Sequence, residues 1–199
     1  FPRGRAEPAA AGQVSVWGPP SAVPQIWRES GHDVLFLPRH GVSGHIPPHR
    51  VNYRANISVI ANWEPDAVIA MNAVGAISAG LKPGGLVVPD QLIDYTHGRA
   101  HTYFDDRLSE TKYIDFTMPY DVKLRSIIVN SAAAAGVPLV AAGTYGVTQG
   151  PRLESSAEIN RLERDGCTVV GMTGMPEAAL AREAGLAYAS LCLLVNAAA

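Results

Sequence analysis

The sequence predicts an α/β fold in a single domain, with a central sheet covered by helices on both faces. The first observation is that short runs of β-branched and aliphatic residues recur, and the second is that segments with apolar residues three and four positions apart separate several of them. Strands arranged in this way with helices form sheets that are buried on both faces. The third observation is the length of 199 residues, which allows one substantial core but not two.

Six runs have the composition of buried strands. They span residues 34–37, 67–71, 85–88, 139–142, 168–171 and 188–195. Residues 1–30 are rich in Pro, Gly and Ala, and we expect only loops and one short strand there, around the apolar residues 14–17.

Four further segments are predicted to be helices. They span residues 50–62, 121–135, 155–165 and 175–184. The first two carry apolar residues at three- and four-residue spacing. The third begins with Ser155, and Glu158 follows three residues later, which is the pattern of a helix capping box.

Charge and composition argue against several classes of function. A net charge of −2 provides no broad basic surface, so we expect no nucleic acid partner and no membrane partner. Apolar runs such as 191–195 are far shorter than the roughly 20 residues of a membrane-spanning helix. Cys167 and Cys192 lie in apolar stretches, which indicates reduced core thiols and a cytoplasmic location. The chain begins with Phe1 instead of methionine, and we expect it to be incomplete.

The candidates for a binding site are the residues that follow each apolar run, because ligands in α/β sheets bind beyond the carboxyl ends of the strands. Four runs are followed by polar side chains or by glycine-flanked backbone. These residues are Arg39 and His40, the segment 72–75, Met172 and Thr173, and Asn196.

Most of these candidates have both a chemical role and a simpler alternative. Arg39 can present two parallel donors to a phosphate, although Arg39 and His40 can equally be a surface pair. The small residues 72–75 can bring backbone amides close to an anion, or they can form an ordinary tight turn. Met172 can pack on a sugar or purine and Thr173 can donate to phosphate, but a methionine after a strand is usually part of the core.

Glu154 follows a Gly-Pro turn and precedes a predicted helix, where an acidic residue is favoured. It is either a helix-start charge or an acceptor for a purine ring N–H group. His45, His49, His97 and His101 form no His-x-x-x-His pair on a predicted helix, so we expect no metal. The sequence also lacks a P-loop, a Gly-x-Gly-x-x-Gly after a strand and a Gly-x-Ser-x-Gly, which argues against kinases, dehydrogenases and serine hydrolases.

Five motifs, taken together and in order, resemble one enzyme family. They are Phe-Leu-Pro-Arg-His-Gly at 36–41, Pro-Pro-His-Arg-Val-Asn-Tyr-Arg-Ala-Asn at 47–56, Asn-Ala-Val-Gly at 72–75, Gly-Pro-Arg at 150–152 and Val-Gly-Met-Thr-Gly-Met-Pro-Glu at 170–177. From about residue 33 onward the chain resembles the methylthioadenosine phosphorylase branch of the purine nucleoside phosphorylases. The resemblance implies a single α/β domain around a mixed, partly barrel-like sheet. It also implies a homotrimer or dimer of trimers in which a neighbouring subunit completes part of the pocket.

The resemblance further implies a role for each candidate residue. The residues implied to bind phosphate are Arg39, His40, Ala73 and Thr173, those implied to contact the nucleoside are Met172, Asn196, Ala197 and Ala198, and those implied to select the base are Glu154 and Asn196. Asn196 is also implied to act in catalysis, near N7 and O6 of the departing purine. The family uses phosphate as a co-substrate and requires no metal or other cofactor.

The base-selecting residues indicate a 6-oxopurine. The adenosine-specific branch has an Asp-x-Asp pattern where this chain has Asn196-Ala197-Ala198, and a small hydroxyl residue where it has Glu154. A 6-oxopurine offers a carbonyl and an N1–H donor, which suit an amide and a carboxylate. Residues 174–179 resemble bacterial methylthioinosine phosphorylases, so S-methyl-5'-thioinosine is the expected substrate, with methylthioadenosine, inosine and guanosine as alternatives.

Three departures from the family pattern leave other functions open. The family's Gly-Gly-x-Gly phosphate loop does not occur, the sequence stops soon after Asn196 without the family's C-terminal helix, and His45 stands in a segment that differs from the family. Residues 1–199 are thus expected to form one phosphorylase domain that lacks these two parts. The alternatives are a hydrolytic nucleosidase on a related fold and a non-catalytic nucleoside-binding assembly subunit.

Overall fold

A six-stranded mixed sheet forms the centre of the protein, and a small three-stranded antiparallel sheet lies apart from it. The computed structural model describes residues 7–8, 15–29, 31–105 and 112–199. The strands are β1 (Glu7–Pro8), β2 (Gln25–Glu29), β3 (His32–Phe36), β4 (Val68–Ala76), β5 (Leu86–Val87), β6 (Gln91–Asp94), β7 (Thr144–Val147), β8 (Val169–Gly171) and β9 (Tyr188–Ala197). The helices are α1 (Tyr53–Ala61), α2 (Val122–Ala134), α3 (Ser156–Arg164) and α4 (Glu177–Glu183).

The central sheet has the strand order β5-β9-β4-β8-β7-β6 and curls into part of a barrel. β4 pairs in parallel with β9 and antiparallel with β8, while β7 is parallel to both β6 and β8. The predicted α/β class and the mixed, partly barrel-like sheet are therefore confirmed. β4 lies at the middle of the sheet and contacts both strands that lead to candidate site residues.

Local capping explains where three of the helices begin. The side chains of Asn52 and Asp121 accept the third backbone N–H of α1 and α2, at 3.2 and 2.7 Å. The predicted capping box of α3 is present, because Ser155 accepts the backbone N–H of Glu158 and Glu158 accepts that of Ser155. Polar caps satisfy donors that the first helical turn leaves unpaired.

The core lies between one face of the sheet and the helices α1 and α4, which pack against each other. Tyr145, Val147, Val169 and Leu180 are fully buried there. A smaller cluster lies under α3 and contains Ile159, Leu162, Cys167 and Val170. The buried cysteines Cys167 and Cys192 are both free.

The prediction that the sheet is covered on both faces is wrong for β4 and β9 within the part of the chain that the structure describes. Ile69 and Met71 of β4 are 49% and 58% exposed, and Leu193 and Val195 of β9 are 40% and 51% exposed. Because side chains alternate between the two faces of a strand, these residues share the face opposite the α1 and α4 core. The apolar runs could not show that, among the described residues, the second face is packed under α3 but uncovered at β4 and β9.

Two strand predictions are also corrected. Residues 139–142 form only one bridge, between Val140 and Val87, and the strand begins later, at β7. β6 was not expected, because its sequence Gln-Leu-Ile-Asp has only two apolar residues. Ser15 to Trp17 form a turn closed by the bond from Gly18 N to the carbonyl of Ser15, whereas Val14 lies outside the described residues.

The described helices are all too short or too polar to cross a membrane.

Candidate active site

Three of the candidate site residues, Arg39, Thr173 and Asn196, lie against β4, and the strand pairing explains the positions of the last two. Gly75 of β4 is opposite Val170 of the antiparallel strand β8. Continuing that register past the end of β8 puts Asn72 opposite Thr173, and the Thr173 hydroxyl does donate to Oδ1 of Asn72 at 2.9 Å. On the other side of β4, Gly75 is paired with Asn196 of β9. Thr173 and Asn196 therefore lie on opposite sides of β4 and at different positions along it.

Arg39 contacts β4 at Met71, on the N-terminal side of Asn72 and Gly75. It follows β3, and its Nη1 donates to the carbonyl of Met71 at 2.8 Å. From Met71 to Gly75 the strand advances about 13 Å, since each strand residue adds about 3.3 Å. The order along β4 is thus Arg39 at Met71, Thr173 at Asn72 and Asn196 at Gly75.

Arg39 is fixed by a buried carboxylate. Its Nε and Nη2 donate to the two carboxylate oxygens of Glu177 at 2.9 and 2.8 Å, and the two side chains are only 16% and 7% exposed. The hydroxyl of Tyr188 donates to the same carboxylate at 2.9 Å. Burial opposes the charge of Arg39, but the Glu177 carboxylate outweighs it and raises the pKa of the guanidinium above its ordinary value. Arg39 is therefore a fixed cation with N–H groups left over for a ligand.

Glu177 reaches Arg39 because it is the first residue of α4, directly after Pro176. An acidic side chain is favoured at a helix N-terminus. Glu177 ends one of the five family motifs, but nothing in the sequence indicated its role. Only its partner, 138 positions earlier in the chain, shows what it does.

The contact between Thr173 and Asn72 belongs to a second buried network. The side-chain amide of Asn72 donates to the carbonyl of Ala70 at 3.1 Å and to Ser190 Oγ at 3.3 Å. Asn72, Thr173 and Ser190 are 2%, 7% and 0% exposed. The segment 72–75 was expected to follow a strand and lies instead inside β4, because β9 pairs with it along its whole length. Neither the loop interpretation nor the tight turn holds.

Two glycines let Tyr145 pack against the backbone on either side of Met172 and Thr173. A Cβ at Gly171 would lie 2.5 Å from the Tyr145 hydroxyl, and one at Gly174 would lie 2.8 Å from its ring. Burial raises the pKa of Tyr145, so its hydroxyl stays protonated. That hydroxyl is buried and has no well-formed hydrogen bond within the described parts of the chain.

His40 lies next to Arg39 and is held by a turn. Its Nδ1 is 2.7 Å from the carbonyl of Ile46, so Nδ1 carries a hydrogen and Nε2 faces away from that bond. A neutral His40 presents Nε2 as an acceptor, and a protonated one presents it as a donor. His45, whose role the sequence left open, is exposed.

The residues at the Asn196 end are held more loosely. Asn196 is exposed, and among the described residues its side chain donates only to the carbonyl of the next residue, Ala197, at 2.7 Å. A Cβ at Gly75 would lie 3.4 Å from the Asn196 amide, so the glycine leaves room for that amide. Ala198 is tied back by its backbone N–H, which donates to the carbonyl of Ala76 at 2.8 Å.

Glu154 is not a helix-start charge, because α3 begins at Ser156 and Glu158 is the acidic residue of its first turn. One carboxylate oxygen of Glu154 accepts a hydrogen bond from the Thr148 hydroxyl. The backbone N–H of Thr148 in turn donates to the carbonyl of Gly171 at 2.8 Å. Glu154 is thereby connected to the end of β8, where Met172 begins.

Two further observations complete the site. Across the ranges that the structure describes, no three His, Cys, Asp or Glu side chains are close enough to hold a metal ion. Arg99, which was not among the candidate residues, donates to the backbone carbonyl of Met172 at 2.9 Å and to that of Gln149 at 2.8 Å. No local pattern around residue 99 signalled these contacts.

Comparison with known proteins gives concordant results. The family model described as the phosphorylase superfamily matches residues 19–199. The chain is 53% identical over 183 residues to a probable S-methyl-5'-thioinosine phosphorylase of Pseudomonas syringae, covering 92% of this chain and 74% of that protein. It is 41% identical over 180 residues to a probable 6-oxopurine nucleoside phosphorylase of Thermococcus kodakarensis, covering 88% and 67%.

The solved structures agree with the fold. Methylthioadenosine phosphorylase of Schistosoma mansoni in complex with tubercidin superposes with a TM-score of 0.92 at 28% identity, covering 100% of this chain and 76% of that one. The same enzyme without ligand gives a TM-score of 0.91, covering 98% and 75%. The likeness thus extends over nearly all of the described chain.

Proposed function

The chain belongs to the phosphorylase superfamily, and we propose that it cleaves 6-oxopurine nucleosides by phosphorolysis, with S-methyl-5'-thioinosine as the preferred substrate. The products are hypoxanthine and methylthioribose 1-phosphate. Relatives named for this activity and for 6-oxopurine nucleosides, at 53% and 41% identity, support the reaction class. This is a purine nucleoside phosphorylase reaction and belongs to purine salvage.

The observation that carries the proposal is the order of groups along β4. A fixed, largely buried cation lies at Met71, a buried hydroxyl at Asn72 and an exposed amide at Gly75. A nucleoside that reacts with phosphate also has an anion at one end, a sugar in the middle and a base at the other. The spacing of about 13 Å, at about 3.3 Å per residue, leaves room for the sugar between them.

At the phosphate end, Arg39 supplies the N–H groups that Glu177 and Met71 leave unused. A guanidinium held in one orientation can donate to two phosphate oxygens together. His40 adds Nε2, which accepts from a protonated phosphate oxygen or, when the ring is charged, donates to one. Thr173 and the backbone around Ala73 are proposed to complete the anion site.

In the reaction, a phosphate oxygen attacks the anomeric carbon while the bond from that carbon to the purine nitrogen breaks. The electron pair of the broken bond goes to the purine, and positive charge develops on the sugar. The protein's contribution is to hold the nucleophile in line and to stabilise the departing base. Asn196 is proposed to hydrogen-bond near N7 and O6, but an amide is not a general acid, so the purine takes its proton from solvent or through a tautomeric relay.

Base selection is proposed to rest on Glu154 and Asn196. A carboxylate accepts the N1–H of a 6-oxopurine, and an amide donates to its C6 carbonyl. One oxygen of Glu154 is already bonded to Thr148, which leaves the other to face a base. Met172, Ala197 and Ala198 are proposed to contact the nucleoside between and beside these polar groups.

A homotrimer or dimer of trimers and a cytoplasmic location are parts of the same proposal. The assembly is supported by the family resemblance of the sequence motifs. The location is supported by two cysteines that are buried and free. Size-exclusion chromatography with light scattering measures the assembly directly.

Release of free base tests the proposal. The purified protein is incubated separately with methylthioinosine, methylthioadenosine and inosine, with phosphate or with chloride at equal ionic strength, and the base is measured by chromatography. We expect hypoxanthine from methylthioinosine only when phosphate is present, and at a higher kcat/KM than from inosine.

The other outcomes identify the alternatives. Adenine from methylthioadenosine at the higher rate would show that Glu154 and Asn196 were assigned to the wrong base. Base release without phosphate would indicate a hydrolytic nucleosidase. Binding of hypoxanthine with no turnover of any substrate would indicate a nucleoside-binding assembly subunit.

A further inference from the structure

We propose that Arg99 is a positioning residue that holds the two loops of the active site together. One loop, residues 148–155, follows β7 and carries Glu154, and the other, residues 172–176, follows β8 and carries Met172 and Thr173. The inference rests on the proposed function only in assigning these loops to the substrate. Arg99 itself contacts neither the substrate nor the phosphate in this proposal.

The guanidinium of Arg99 bonds to four backbone carbonyls. In the first loop it donates to Gln149 at 2.8 Å and Thr148 at 3.3 Å, and in the second to Met172 at 2.9 Å and Met175 at 2.5 Å. Such bonds from a charged donor are stronger than those between neutral groups. One planar group therefore sets the distance between two loops that lie more than a strand and a helix apart in sequence.

Arg99 is itself fixed in place. The side-chain oxygen of Gln149 accepts both the Arg99 Nε at 3.2 Å and the backbone N–H of His97 at 3.1 Å. The guanidinium also lies over the ring of Tyr53, 5.5 Å from its centre, and donates to its hydroxyl at 3.3 Å. Tyr53 is a core residue at the start of α1, so Arg99 is anchored to the hydrophobic core.

The consequence for catalysis follows from what each loop carries. Thr148 binds Glu154 through its hydroxyl and Arg99 through its carbonyl, and the carbonyls of Met172 and Met175 bracket Thr173. Separating the loops would move the base-selecting group relative to the phosphate-binding one. Misplacement by about 1 Å can cost about 100-fold in rate.

Substitution of Arg99 tests the inference. We expect Arg99→Ala to lower kcat by about 10- to 100-fold, with a smaller change in the KM for nucleoside. Arg99→Lys should recover little activity, because an ammonium cannot donate to four carbonyls in a plane. The matched control is Arg125→Ala. Arg125 lies in α2 and also donates to backbone carbonyls, those of Val88, Pro89 and Ala141, none of which belongs to the two loops.

Chemical rescue separates positioning from general stability. Arg99 lines a cavity of about 130 Å³ together with His49, Tyr53 and Gly98, so truncation to alanine leaves space that is continuous with this cavity. Guanidinium at concentrations far below denaturing ones should restore part of kcat in Arg99→Ala and none in Arg125→Ala. Methylammonium should restore less.

Hydrogen exchange supplies a readout that does not need activity. In Arg99→Ala, amides of residues 148–155 and 172–176 should exchange faster together, whereas in Arg125→Ala the change should be confined to the segments around residues 88–90 and 141. Faster exchange in only one loop, or an Arg99→Ala kcat equal to that of Arg125→Ala, would overturn the inference. Absence of phosphorolysis by the unsubstituted protein would refute the proposed function while this comparison still decides the role of Arg99.

Discussion

The two ends of the proposed site are held in different ways. At the phosphate end, Glu177 is buried and Arg39 is largely buried, the two are joined by two hydrogen bonds, and Tyr188 supports the carboxylate. At the purine end, the side chain of Asn196 is exposed and, in the part of the chain that the structure describes, bonded only to the adjacent Ala197. The phosphate end is thus part of the core, whereas Asn196 at the purine end lies near the end of β9 with its side chain outside the core.

This difference has a physical reason in the ligands. Phosphate is the same in every reaction of such an enzyme, so rigid, already oriented donors do not narrow the range of nucleosides accepted. They also need no reorganisation during the reaction. The base is what distinguishes one substrate from another, and an exposed side chain can change with little effect on the fold. The comparison predicts that substitutions at the phosphate end change both stability and activity, and those at the purine end change activity alone.

The largest effect is expected for Glu177→Gln. This substitution keeps the size of the side chain but leaves the buried charge of Arg39 without its carboxylate, which costs about 3–5 kcal/mol for a buried pair. The free energy of unfolding from urea denaturation should fall by about this amount, and the KM for phosphate should rise. Glu158→Gln removes an exposed partner of Arg152 and is the control, with a much smaller loss of stability. Equal losses of stability in the two variants would show that the buried Glu177 carboxylate stabilises the fold no more than the exposed Glu158 carboxylate does.

The next largest effect is expected for Thr173→Val. The valine has nearly the same shape, but Oδ1 of Asn72 loses its donor in a buried position, which costs about 1–3 kcal/mol. The KM for phosphate should rise as well, measured with methylthioinosine at saturation. Thr173→Ser retains the hydroxyl and should behave like the unsubstituted protein in both measurements. If Val and Ser have the same KM for phosphate, the hydroxyl does not bind it.

The sequence predicted the parts of the molecule that depend on neighbouring residues. The helices α1 to α4 and the strands β4, β8 and β9 were predicted because their apolar spacing and caps are local, and the order of the motifs indicated the family. The run at 139–142 was misassigned because a short apolar run does not show whether a partner strand is available. Val140 makes only a single bridge, and the ladder belongs to β7.

The contacts that organise the site could not be predicted in the same way. Glu177 bonds to Arg39, which lies 138 positions earlier in the chain, and Arg99 bonds to loops about 50 and about 75 positions later. Such pairs arise from tertiary packing and leave no periodicity in the sequence. The motifs indicated roles for residues next to the strands, such as Arg39 and Thr173. They did not indicate the roles of Glu177 and Arg99, whose side chains fix Arg39 and the loop of Thr173 in place.

At the purine end, Glu154→Gln is expected to change substrate preference with little effect on stability. The carboxylate of Glu154 is proposed to accept the N1–H of a 6-oxopurine, and a hydrogen bond to a charged group contributes about 1.5–3 kcal/mol. The neutral amide should therefore lower kcat/KM for methylthioinosine by about tenfold or more, relative to methylthioadenosine. Thr148→Val, which removes only the hydroxyl that bonds to Glu154, is the control and should reduce the preference less. An unchanged ratio in Glu154→Gln would remove this residue from base selection.

The smallest effect on stability is expected for Asn196→Ala, and this variant tests the comparison most directly. Because the side chain is exposed and its one hydrogen bond within the described ranges is to Ala197, the free energy of unfolding should stay within about 0.5 kcal/mol of the unsubstituted protein. Turnover of methylthioinosine should nevertheless fall by about 100-fold or more, since a donor to the departing base is lost. Asn196→Asp keeps the shape but replaces the donor with a carboxylate that repels the C6 oxygen, so it should lose 6-oxopurine activity and gain relative preference for methylthioadenosine. Full activity in Asn196→Ala would remove the catalytic role, and a loss of stability as large as that of Thr173→Val would mean that the two ends are held alike.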